Sequence, residues 1–166
     1  LALQQKNFKR VAAYSSVSQM GYLLLGLAAD TRLGLIAALL YLLTHSLAKS
    51  ALFANAAALE QRLGTLDIDE MGGLQAKMPV TAFSSVAALL SIAGVPPLAG
   101  FWSKLLVLIA LWSAGLRGVA AAALLLSIFS GAYFLRLQKK TFFGKPKARW
   151  SDVCELSGGI KISDIL

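Results

Sequence analysis

The sequence holds one cysteine, Cys154, and one histidine, His45, among 166 residues. That excludes an intrachain disulfide and any Cys/His zinc cluster. Cys154 reads as an incidental thiol in a polar tail. Charge is also scarce, at 14% of residues, whereas soluble domains average about 25%. There is no phosphate-binding glycine loop and no Ser/His/Asp arrangement, and Gly72-Gly73 and Gly158-Gly159 read as turns. No basic stretch precedes a cleavable apolar run, and residue 1 is leucine, so the text reads as part of a longer polypeptide.

What is abundant is apolar surface. Hydrophobic residues make up 57% of the chain and the mean hydropathy is +0.68. Such a surface needs lipid as its solvent. Sixteen Lys and Arg against eight Asp and Glu leave a formal charge of +8. Much of the excess gathers at segment ends and in the tail: Lys6, Lys9, Arg10, then Lys139, Lys140, Lys145, Lys147 and Arg149. Placed there, cations meet lipid headgroups rather than nucleic acid.

Charges and prolines divide residues 1–144 into an all-α bundle of about five transmembrane helices. These cover residues 11–29, 33–59, 79–93, 98–113 and 119–135, and a polar tail, 145–166, receives no predicted structure. At 1.5 Å per residue the second segment is about 40 Å long, more than the hydrocarbon core needs, so it tilts, bends or projects. A connector, EQRLGTLDIDEMGGLQAKMP, carries most of the acids, and Pro79 opens the next helix. Between the third and fourth segments lies AGVPPLAG, where Pro96 and Pro97 break the hydrogen-bond ladder beside Gly94 and Gly100. Either this break lies at membrane depth and lines a hydrated cavity, or it is a tight turn at the membrane surface. Five separate spans put the two ends on opposite sides, yet both are basic, so charge counting leaves orientation open.

Tyr41, His45 and Lys49 are spaced by four and share one helical face, flanked by Thr44 and Ser46. Lys49 sits near mid-membrane, where a lysine costs several kcal/mol unless paired, hydrated or neutral. Alone, His45 reads equally as an interhelical hydrogen bond, and Lys49 as a snorkelling or salt-bridged residue. Together on one face they point to a proton relay. Lys104, beside Ser103 in PPLAGFWSK, is either an interfacial partner of Trp102 or faces the same interior as Lys49. Ser15, Ser16, Ser18 and Gln19 in the first segment are either interhelical glue or a hydrated wall. No Asp or Glu falls inside the five apolar segments, so a partner supplies the missing acid or the lysines are neutral part of the time.

KRVAAYSSVSQMGY, THSLAKSALF, DIDEMGGLQAKMPVTAF and GVPPLAGFWSK, in this order, resemble the antiporter-like membrane subunits. That family occurs in complex I (NADH:quinone oxidoreductase), Mrp sodium/proton antiporters and membrane-bound hydrogenases. The connector and break look most like the Mrp D-type branch and its hydrogenase relatives. The resemblance covers about Lys9 to Gly144 and implies the second of two inverted five-helix repeats, each with one broken helix. It matches Lys49 with His45 to the central connecting pair, Lys104 to the terminal lysine, and Lys9 to a lysine linking the two halves. Asn7 stands where relatives usually have Asp, and Tyr41 where a second histidine is frequent. The first repeat, with its Glu/Lys pair, and the usual final helix have no counterpart in these residues.

The resulting expectation is proton or sodium translocation through Lys9, His45, Lys49 and Lys104, by a multi-pass subunit of a prokaryotic cytoplasmic membrane. Two unit charges about 8 Å apart at an effective dielectric of 20 interact by about 2 kcal/mol, enough to bias such a relay. The chain is expected to hold no cofactor or metal itself; quinone, flavin or iron–sulfur centres belong to partner subunits. The alternative is a structural subunit that scaffolds such a complex without conducting.

Overall fold

The structure, a computed structural model, describes residues 4–150 and 153. Cys154 and Gly158-Gly159 lie outside these residues. Five α-helices follow in order: α1 (Phe8–Ala28), α2 (Arg32–Leu63), α3 (Pro79–Ala93), α4 (Ala99–Ser113) and α5 (Arg117–Thr141). Local chemistry sets their ends. The Asn7 side chain accepts from the Arg10 N–H at the start of α1, and Thr31 accepts from the Gly34 N–H at the start of α2. Gly64 at φ 65° closes α2 and Gly94 at φ 86° closes α3, both in the left-handed region that favours glycine. Pro79 occupies the first turn of α3, where a missing N–H leaves no bond unmade.

α1, α2 and α5 are each long and apolar enough to cross a membrane, whereas α3 and α4 have 15 residues apiece. Each of the two rises about 22 Å, short of the hydrocarbon core. They share one crossing. Met78, at the foot of α3, packs in a core cluster with Phe8, Leu59 and Phe142. Leu111, near the far end of α4, packs with Ala29, Ala37 and Ala120 in a second cluster. α3 and α4 therefore run in tandem from one end of the bundle to the other, with the Pro96–Pro97 break between them. The described chain runs the length of the bundle four times, and its basic residues near positions 6–10 and 139–147 lie at the same end. This replaces the expectation of opposite sides, because neither half-helix reaches across alone.

That end is capped by the connector and the tail. Asp69 takes Lys140, at the foot of α5, and Lys6 in ion pairs, while Lys147 donates to its carbonyl. The Lys140 hydrogen bond holds the Asp69 carboxyl below its ordinary value. Trp150 donates its indole N–H to the Glu70 carbonyl at 3.0 Å. A Cβ on Gly73, at φ 65°, would lie 2.6 Å from Pro146, so glycine is required where the tail crosses the connector. Residues 145–150 are thus docked on the bundle.

Candidate functional site

The interior of the bundle is lined by bases. Lys49, Lys104 and His45 expose 7%, 5% and 7% of their surface. Lys49 Nζ donates to the Ala12 carbonyl and to Ser15 Oγ at 2.5 Å, both on α1. Lys104 Nζ donates to the Ala93 carbonyl, the last residue of α3, and to Ser127 Oγ on α5, each at 3.2 Å. It also lies 4.9 Å from the Tyr22 ring centroid, a cation–π distance. Among the described residues neither lysine pairs with a carboxylate. Each ammonium is held within the chain by one carbonyl and one hydroxyl, with the Tyr22 ring added for Lys104.

The break sets the position of Lys104. With α3 ended at Gly94, the Ala93 carbonyl is free of its helix and accepts from Lys104. Gly94 lets the lysine stem pass close, since a Cβ there would stand 3.0 Å from Lys104 Cδ. Gly100 lies against Ser91: its N–H donates to Ser91 Oγ at 3.2 Å, and an added Cβ would strike the Ser91 carbonyl. α2 is fastened to the same break by Thr44 and Ser103, whose hydroxyls are 3.2 Å apart, with Ser103 donating to the Gly100 carbonyl. Ser46 faces outward and bonds back to Leu42. Trp102 is exposed while Lys104 is buried, so the two do not form an interfacial pair.

His45 stacks on Tyr41 with centroids 6.1 Å apart, and Tyr41 stacks on Tyr22 at 5.8 Å. His45 lines a small cavity with Thr44, Ser91 and Gly100, and its Nδ1 has no hydrogen-bond partner among the described residues. Lys9 stands apart. It is half-buried in the first turn of α1 and pairs with Glu60 at 2.5 Å near the end of α2. Tyr41, Thr44, His45, Lys49, Ser103 and Lys104 are thus brought together, and Lys9 is not.

Residues 1–130 match the family described as "NADH:quinone oxidoreductase/Mrp antiporter, TM". The chain belongs to this family. It is 38% identical over 143 residues to NADH-quinone oxidoreductase subunit N of Parvibaculum lavamentivorans, covering 86% of the chain and 30% of that protein. NAD(P)H-quinone oxidoreductase subunit 2 of Synechococcus elongatus is also 38% identical, over 89% of the chain and 28% of that relative. The chain thus spans about a third of the length of the curated relatives it matches. Among solved structures, the Mrp complex of Dietzia has a TM-score of 0.84 at 36% identity, over 88% of the chain and 27% of its own. Respiratory complex I of Thermus thermophilus has 0.84 at 32%, over 95% and 33%.

This member of the NADH:quinone oxidoreductase/Mrp family carries interior residues that sequence reasoning did not single out. Ser127 is one serine in an apolar helix, and nothing in its local pattern points to Lys104. Ser15 and Gln19 stood in a polar cluster, but only the fold separates them from Ser16 and Ser18. Both are fully buried, and their spacing of four is the signal that could have marked them. Among the described residues no group of His, Cys, Asp and Glu could hold a metal ion.

Proposed function

We propose that this chain conducts protons as part of an ion-translocating membrane subunit, with Lys49, His45 and Lys104 passing charge between them. The observation that carries this reading is the pair of buried lysines with no carboxylate among their described partners. A lysine at that depth is costly as a permanent cation without an acid beside it, which supports a group that alternates between charged and neutral forms. Sodium remains the alternative ion, since Ser and carbonyl oxygens serve either. The driving chemistry, with any quinone, flavin or iron–sulfur centre, lies in partner membrane and peripheral subunits.

The distribution of basic residues along the bundle supports one orientation. Lys6, Lys9, Arg10, Lys139, Lys140, Lys145 and Lys147 gather at one end, while Arg32 and Arg117 are the only basic residues at the other among those described. By the bias of basic residues toward the cytoplasm, the capped end faces the cytoplasm of a prokaryotic membrane. A Lys145→Cys thiol is expected to react with an impermeant reagent from the cytoplasmic side alone.

Replacing Lys104 by methionine keeps the stem and removes the titrating group. In the assembled complex reconstituted into vesicles, driven ion uptake is expected to fall severalfold while the complex stays intact. Unchanged uptake would support a scaffold that does not conduct. Acidification and sodium uptake, followed separately, identify the ion.

A further inference from the structure

The relay reading leaves one question open: what keeps protons on the Lys49–His45–Lys104 axis. α1 stands between that axis and a cleft of about 550 Å³ that opens along the α1–α5 seam. Val17, Ser18 and Gly21 of α1 and Leu126 and Phe129 of α5 line its mouth, and Gln19, Tyr22 and Tyr133 form part of its wall. The adjoining, inward face of α1 carries Ser15, Gln19 and Tyr22 at helical spacing, all buried. Each meets one station of the axis. Ser15 accepts from Lys49. Gln19 Oε1 accepts from the Tyr41 hydroxyl, whose ring stacks on His45. Tyr22 lies beneath the Lys104 ammonium and is locked by its hydroxyl on the Ala123 carbonyl at 2.5 Å. Gln19 and Tyr22 therefore have the axis on one side and the cleft on the other.

Gln19 is also bonded outward. Its Nε2 donates to the Tyr133 hydroxyl at 3.4 Å, and Tyr133 borders the cleft. An unbroken line of hydrogen bonds thus leads from Tyr41, against His45, to the cleft. The middle link decides whether that line conducts. A carboxamide accepts at oxygen and donates from nitrogen. To pass a proton it must take one at Oε1 and release another from Nε2, leaving the imidic tautomer, which must revert before a second passage. A carboxylic acid in the same place takes a proton on one oxygen, releases it from the other, and is restored by exchanging their roles.

We infer that the Ser15–Gln19–Tyr22 face of α1 is the lateral proton barrier of this subunit, and that Gln19 closes it by bonding two tyrosines through a group that does not relay protons. The inference rests on the relay reading, and it makes Gln19 a positioning and insulating residue rather than a member of the relay.

The test uses the whole complex in proteoliposomes, with passive proton conductance measured while the driving reaction is off. Gln19→Glu, near-isosteric and able to exchange protons, is expected to raise passive conductance severalfold and to lower the number of ions moved per turnover. Gln19→Leu breaks the same two hydrogen bonds but offers no proton carrier, so its passive conductance is expected to stay at the wild-type level. A purely structural role for Gln19 predicts that Gln19→Leu, which loses both bonds, leaks at least as much as Gln19→Glu, which can still accept from both tyrosines. Equal leaks, or a Gln19→Glu conductance no higher than wild type, overturns the barrier. Failure of the relay itself is read separately, from undiminished driven uptake in Lys104→Met.

Discussion

Arginine at position 49 is expected to stop ion transport while leaving the complex assembled. Arginine keeps the positive charge and brings more donors, so the Ala12 carbonyl and Ser15 hydroxyl that hold Lys49 keep a partner. What it cannot do is lose its proton near neutral pH. A site whose role is electrostatic tolerates this change, and a site that loads and releases a proton does not. Positioned proton-transfer groups contribute about a hundredfold or more, so driven uptake in Lys49→Arg is expected to drop by at least that factor. Lys49→Met, which is neutral and less bulky, should fail as well. Transport by the arginine variant near the wild-type rate sinks the relay, and loss in the methionine variant alone assigns Lys49 a fixed charge.

The second large effect is structural. Gly100→Val is expected to prevent α4 from seating, because the new Cβ lands on the Ser91 carbonyl, and a backbone atom cannot swing aside as a side-chain tip can. The bond from the Gly100 N–H to Ser91 Oγ is lost as α4 moves away, and Ser103 and Lys104, one turn further on, move with it. Overpacking a tight contact costs about 1–3 kcal/mol and often more when the obstacle is backbone. The subunit is expected to vanish from the membrane or to leave the complex on mild heating. Gly131→Ala is the control. A Cβ there meets nothing within 4 Å, and alanine suits the middle of a helix better than glycine by about 1 kcal/mol. Normal assembly of Gly100→Val would mean that the close approach of the two half-helices is dispensable.

Much of this arrangement was legible because two signals are strong in single sequences. Proline and glycine at residues 94–100 announce a break, and the ends of α3 fall at Pro79 and Ala93 as the sequence predicts. Spacing of four puts Tyr41, His45 and Lys49 on one face, and all three are buried. Hydrophobicity was a poorer guide to helix ends. α5 runs on to Thr141, past Leu135, because arginine, glutamine and lysine are good helix formers and cations favour a helix C-terminus. α1 begins at Phe8, before the apolar run, because the Asn7 cap starts the helix. α2 likewise continues to Leu63 and takes Glu60 with it.

The remainder depends on which helices become neighbours. No pattern within α5 distinguishes Ser127, bonded to Lys104, from Ser130, which bonds back within its own helix. Lys9 shows the reverse failure. Its motif groups it with the other bases, yet its place in the first turn of α1 commits it to Glu60 at the surface.

The shared crossing of α3 and α4 bears on biosynthesis. An insertion machine that tests each emerging segment against lipid meets two helices of 15 residues, neither long enough to be accepted alone, with a lysine just past the break. Their union carries one partner for Lys104, the Ala93 carbonyl, within its own length. The other, Ser127, is translated later, on α5. Lys104 is therefore fully bonded only once α5, a helix later in the chain, is packed against the tandem segment.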